Sequence, residues 1–198
     1  MSEVITTRVN GHVRICDRNT NEVLLDKNNA VHNKNMALAL ARGLANEPVD
    51  VGSGIGKHQI YKIKLGRGGS TITSGNQISY QPPNVTGSYA DLYSSTYAEI
   101  VDEGQTGTPS ENSVTFQQND SDDSCIVIVT ATIAAGEPNG QDISDSPPNS
   151  DPEAQYAFDE LGLFTYDDRL LTHIIFSPIL KTANRELVIT YTLTISVS

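Results

Sequence analysis

Apolar and polar residues alternate in short runs along most of the chain. HVRICD from His12 and QIYKIKLG from Gln59 show the period of two that puts one face of a strand on a core, and STYAEIV from Ser95, SVTFQQ from Ser113 and CIVIVTATIA from Cys125 follow as β-like runs enriched in β-branched and aromatic residues. QYAFDELGLFT, LLTHIIFS and ELVITYTLTISVS close the chain as further β-like runs of the same enrichment. Between these runs lie clusters of Gly, Pro, Asn, Asp and Ser, the residues that turns select. RNTN followed by EVLLDK completes an N-terminal hairpin. One segment breaks the rhythm. In NKNMALALARGLANEP, Met36, Leu38, Leu40, Ala41 and Leu44 approximate one helical face, Asn33 or Asn35 can cap it, and the stretch from Gly43 to Pro48 ends it. About three turns of helix are marginal alone, so the stripe through Met36, Leu40 and Leu44 is expected to dock on the sheet.

The spacing predicts a mainly β chain: an antiparallel β-sandwich with an N-terminal hairpin, one short α-helix and long loops or arms. At 198 residues the length suits one main domain covering residues 1–198. Two segments depart from the strand pattern. Residues 71–93 are rich in Ser, Thr, Asn, Gly, Pro and Tyr and read as a long ordered loop or an arm reaching a neighbouring subunit. In that segment Tyr80, Tyr89 and Tyr93 are the candidate assembly contacts, because aromatic anchors recover the entropy of ordering a polar chain. Residues 136–155 are acidic and Pro-rich, and read as an exposed flap.

The strand FDELGLF places Asp159 and Glu160 in an apolar ladder with neither face cleanly polar. A strand covered on both faces is expected, with Glu160 a structural carboxylate bonded to backbone or a cation. FTYDDRLL reads more simply as strand, turn and strand, with Asp167 and Asp168 in the turn.

Charge narrows the partners. A net charge of −11 and a pI near 4.6 oppose binding to a phosphate backbone, so no nucleic acid is expected. No leader pattern opens the chain and no apolar stretch has bilayer length, so synthesis in a cytoplasm and no membrane contact are expected. Cys16 and Cys125 stand far apart in β-like runs and are expected to be small buried thiols, with no disulfide framework indicated.

Catalytic patterns fail one by one. VDVGSGIGKHQ has the glycines of a phosphate loop but Val51 where the first Gly belongs and His58 where Ser or Thr should follow Lys57. His12, His32, His58 and His173 show no metal-binding spacing, and His173 within LLTHIIF reads as a core or surface strand residue. The acidic groups Asp120, Asp122, Asp123 and Asp142, Asp145, Asp151 lack the calcium-loop arrangement. The chain is therefore expected not to be an enzyme, with no catalytic or metal-binding residue, no cofactor and no small-molecule substrate.

Several of these runs together resemble a class of tailed-bacteriophage virion proteins. FDELGLF, a polar turn, LLTHIIFSPILK and NRELVITYTLTISVS resemble the C-terminal strands that close the β-sandwich of those proteins. NAVHNKNMALALARGLAN resembles their short helix after an N-terminal hairpin, IYKIKLGRGGS their "LGxGG" strand and turn, and ADLYSSTYAEIV the segment that follows. The resemblance implies a structural protein of the virion, made in the host cytoplasm, assembled with copies of itself and other virion proteins on the neck, tail or baseplate. A capsid decoration or fibre-base protein is the nearest alternative. A carbohydrate-binding host-recognition module is a third, against which the absence of Trp counts.

Overall fold

A computed structural model describes residues 6–48, 54–74, 77–101, 112–119, 123–138 and 156–198. The expected flap lies almost wholly outside these residues, as do Asp120, Asp122, Asp142, Asp145 and Asp151.

The chain is mainly β, with the antiparallel, sandwich-like arrangement that the alternation predicts. The strands are β1 (Thr7–Asp17), β2 (Val23–Val31), β3 (Ile60–Gly66), β4 (Ser70–Ile72), β5 (Ile78–Tyr80), β6 (Ser95–Ile100), β7 (Ser113–Asn119), β8 (Ser124–Ile133), β9 (Tyr156–Thr165), β10 (Leu170–Lys181) and β11 (Leu187–Val197). One helix, α1 (Asn33–Leu44), follows β2. Nine strands make a curled sheet in the order β6-β3-β9-β10-β2-β1-β11-β8-β7, and β4 and β5 form a separate ribbon.

The curl brings the two halves of the sheet face to face. Val13 and Ile15 of β1, Val129 and Ile133 of β8, and Ile189 and Leu193 of β11 share one core with Ile63 and Leu65 of β3 and Leu161 and Leu163 of β9. The halves join at one corner, where β2 pairs with β10 through Thr172 with Val31 and His173 with Ala30. At the opposite side Asn112 acts as a clasp. Its Nδ2 donates to Glu99 Oε1 and the Ile100 carbonyl of β6, while its Oδ1 accepts from Thr132 N of β8. Across the core the Thr172 hydroxyl donates to the buried Tyr191 hydroxyl at 2.9 Å.

Turn chemistry follows the sequence. Asp17 at the end of β1 accepts from Asn19 N and Thr20 N on one oxygen and from Arg185 Nε at 2.7 Å on the other. The Arg185 bond, with these two amides, holds its carboxyl below the usual range. Pro178 lies where the β9–β10 register shifts, the place in a strand where a missing N–H does least harm.

The two thiols are not buried as expected: Cys16 is half-buried and Cys125 exposed, because Cys16 falls between the covered positions of its strand and Cys125 ahead of them. Three further details differ from the pattern. The cap of α1 is His32, whose Nδ1 accepts from Asn35 N, rather than an asparagine. Asn35 is buried and donates to the Leu170 carbonyl. Leu44 does not dock: Met36 is buried and Leu40 partly covered, but Leu44 is 91% exposed. In the last turn Arg42 reaches Asp167 at 2.7 Å instead. Within 71–93 the ribbon of β4 and β5 is also unheralded, since Ser, Thr and Gln supply no hydrophobic alternation.

Leu40→Ala should therefore cost only about 1–2 kcal/mol, whereas Leu163→Ala, in the closed core, should cost about 2–5 kcal/mol. Denaturant melting of both variants checks the order, and equal losses would contradict the placement of α1.

Candidate functional site: a buried carboxylate clamp

Strand β9 is buried on both faces from Phe158 to Thr165. One face meets the core. Over the other lie the glycine turn after β3 and the loop of residues 81–94, and the two adjacent carboxylates of β9 hold them there.

Glu160 is fully buried. Its Oε1 accepts from Gly68 N at 3.0 Å and Ser94 N at 2.7 Å. Its Oε2 accepts from Tyr93 N at 2.9 Å and faces His173 Nε2 at 3.1 Å. Asp159 accepts from Gly69 N on Oδ1, and from Ser70 N and the Ser70 hydroxyl on Oδ2. Burial alone would raise the Glu160 pKa, but the bonds from His173, Ser94, Tyr93 and Gly68 outweigh it and hold the group below its ordinary 4.5.

The glycines of LGRGGS follow from this crowding. A Cβ on Gly68 would sit 2.6 Å from Tyr93 Cβ and 2.7 Å from Ser94 N, and one on Gly69 would sit 2.8 Å from the Asp159 carbonyl. Backbone must pass this close for one carboxylate to serve both segments.

His173 is the partner that local spacing did not reveal. Its Nδ1 accepts from Asn84 N at 2.8 Å, so the ring proton resides on Nε2 and points at Glu160. The turn at 166–169 brings the two together: Glu160 lies opposite Ile175, and His173 opposite Gly162. Counting back from the FTYDDRLL turn could have found this pairing.

Further bonds extend the clamp along the loop. With Nδ1 accepting in the cap, His32 donates from Nε2 to the Gly87 carbonyl at 2.6 Å. Arg169 donates to the Ser88 carbonyl at 2.9 Å, and Lys34 to the Ser88 hydroxyl at 2.7 Å. The Tyr93 hydroxyl donates to the Pro82 carbonyl. Residues 81–94 thus lie on the chain's own sheet, held by side chains from β9, β10 and α1 and from the turn at 166–169.

The three tyrosines stand apart from one another in role. Tyr80 is half-exposed, with its hydroxyl 2.7 Å from Ser177 Oγ. Tyr93 is also half-exposed, its ring 5.9 Å from that of His173. Tyr89 is 91% exposed beneath the Arg169 guanidinium.

Beside the clamp, β2 and β10 part below their two bridging pairs and leave an open cleft of about 440 Å³. Tyr80, Gln81 and Pro83 form one side, and Lys27 crosses it to donate to the Ile175 carbonyl at 3.3 Å. His173 lines the cleft, yet both its nitrogens are engaged. The described end of the Gly-rich connector, from Gly54 to Gln59, contains a turn in which Gly56 N donates to Gln59 Oε1. Among the described residues no group of three or more His, Cys, Asp or Glu is arranged to hold a metal. Chemically the arrangement binds mostly backbone: among the described residues the donors to Asp159 and Glu160 are five backbone N–H groups, the Ser70 hydroxyl and the His173 ring.

Comparison with known proteins gives no matching family model, no matching curated protein and no matching solved structure.

Two outcomes follow from the clamp. Glu160→Gln keeps one acceptor oxygen but turns an amide donor toward other donors, and should cost about 1–3 kcal/mol, while Glu160→Leu should cost roughly 3–5 kcal/mol. Because the folded pKa lies below the unfolded one, this stabilisation is complete above pH 4.5 and is lost as pH falls through the folded value. The difference between wild type and Glu160→Gln, measured by urea melting from pH 7 downward, should be constant and then close in acid. A gap that widened in acid would contradict the assignment. Gly68→Ala should destabilise by about 1–3 kcal/mol, since the clashing atoms are backbone and Cβ. Thermal melting checks it, and a neutral result would mean that the two segments can separate freely.

Proposed function

We propose that the chain is a non-enzymatic structural component of a bacteriophage virion, assembling with copies of itself and other virion proteins at the neck, tail or baseplate. The observation that carries this reading is the use made of the polar site. Asp159, Glu160 and His173, the groups best placed by burial to act as acid and base, are saturated by bonds that fix loops. Catalysis needs such groups within reach of a substrate proton.

What the clamp holds out to solvent supports assembly. Ile72 and Ile78 pair across the β4–β5 ribbon and are 75% and 46% exposed. Tyr80 shares their face, and Tyr89 projects from the pinned loop nearby in sequence. An apolar set on a pre-ordered frame loses little conformational freedom when a partner covers it, which favours association. The likeness of the C-terminal strands, the glycine turn and the helix to virion proteins supplies the context.

Purified particles, probed with an antibody to this chain and by mass spectrometry, should contain it. Ile72→Ser combined with Tyr89→Ser should leave melting almost unchanged and reduce incorporation at least severalfold. Particles without the chain would overturn the virion reading, and unchanged incorporation would remove this surface from it.

A further inference from the structure

We propose that β7 is where two copies of this chain join, strand to strand, about a two-fold axis beside Phe116. This deepens the assembly reading above by naming the surface and its partner.

The first observation is an unguarded edge. β7 ends the nine-stranded sheet and pairs with β8 over all seven of its residues without a bulge. Among the described residues no strand lies on its other side. Its sequence, SVTFQQN, has no charge, no Pro and no Gly. Edge strands of monomeric proteins are normally guarded by charge, Pro, a bulge or short length, and β7 carries none of these. The sheet's other end differs: β6 carries Glu99, its register with β3 shifts at Leu65 and Gly66, and Asn112 clasps it to β8.

The second observation is Phe116, at the centre of the strand and 78% exposed. Its register partner is Val127, and Val114 lies two residues before it on the same face. Both valines pack against the core, so Phe116 continues the apolar face past the point where the chain itself covers it.

The occupant follows from symmetry and charge. Two β7 strands running antiparallel about an axis at Phe116 pair all seven residues: Phe116 meets its copy, Thr115 meets Gln117, and Val114 meets Gln118. Both Phe116 rings then fall on one face, close enough for aromatic contact. A chain of net charge −11 repels its own copies, so they meet most readily along an uncharged strip. A two-fold contact uses both edges and closes, so it yields a dimer rather than a fibre.

The test is analytical ultracentrifugation of the purified chain from about 1 to about 100 μM, a range suited to an interface at the small end of specific contacts. Wild type should show a concentration-dependent dimer. T115K/Q117K sets a lysine against a lysine twice across the axis and should weaken the dimer about tenfold or more, with melting unchanged. T115K/Q117E replaces the same two side chains but sets opposite charges together, and should keep the dimer at least as tight as wild type. A monomer throughout, a dimer indifferent to T115K/Q117K, or equal loss in both variants would overturn the proposal. The measurement needs no particle, so absence of the chain from virions would overturn the virion reading and leave this pairing standing.

Discussion

Most of what is irregular in this fold depends on a buried glutamate that must be satisfied. A carboxylate taken out of water is costly, and Glu160 recovers that cost only because three backbone N–H groups and one imidazole converge on it. Those donors come from three places in the chain: the turn after β3, the approach to β6, and β10. Meeting the valence of one side chain therefore fixes where two loops cross a sheet. Asp159, next to it on the same strand, does the same for the start of β4.

The consequence is a polar loop with little apolar content that nonetheless has a defined path. Ordering the backbone costs about 1–2 kcal/mol per residue, more than the burial of Ala90 and Leu92 returns. His32 and Arg169 donate to specific carbonyls of the loop, and His173 and Glu160 accept from specific loop amides, so that its path is set by bonds that no other conformation makes. Two neutral histidines, each accepting on Nδ1 and donating on Nε2, serve as linkers rather than reagents. The exposed side chains of the ribbon and loop thereby acquire fixed positions, the property an assembly surface requires.

The sheet was legible because its signal is periodic. Alternation in β1, β8 and β11 has one physical cause, a core on one side, while β9 and β10 read as apolar runs because both faces are covered, and Glu160 as a structural carboxylate could be read from a strand with no polar face. What stayed hidden has no local signature. The ribbon of β4 and β5 is held by Ser70 on Asp159, a contact 89 residues distant in sequence. The His32 cap looks like any histidine until Gly87 supplies its second partner. Leu44 fits the helical stripe yet faces water, since periodicity marks a face and not how far along the helix that face is covered.

Native-state hydrogen exchange at single-amide resolution tests the clamp most directly. The Gly68, Gly69, Ser70, Asn84, Tyr93 and Ser94 amides, all bound to side chains of β9 or β10, should exchange slowly and as a group, although most lie outside the strands. In Glu160→Gln their protection should fall together while the β1–β11 ladder keeps its own. Fast, independent exchange of these amides in the wild-type chain, at rates typical of solvent-exposed loops, would contradict the account.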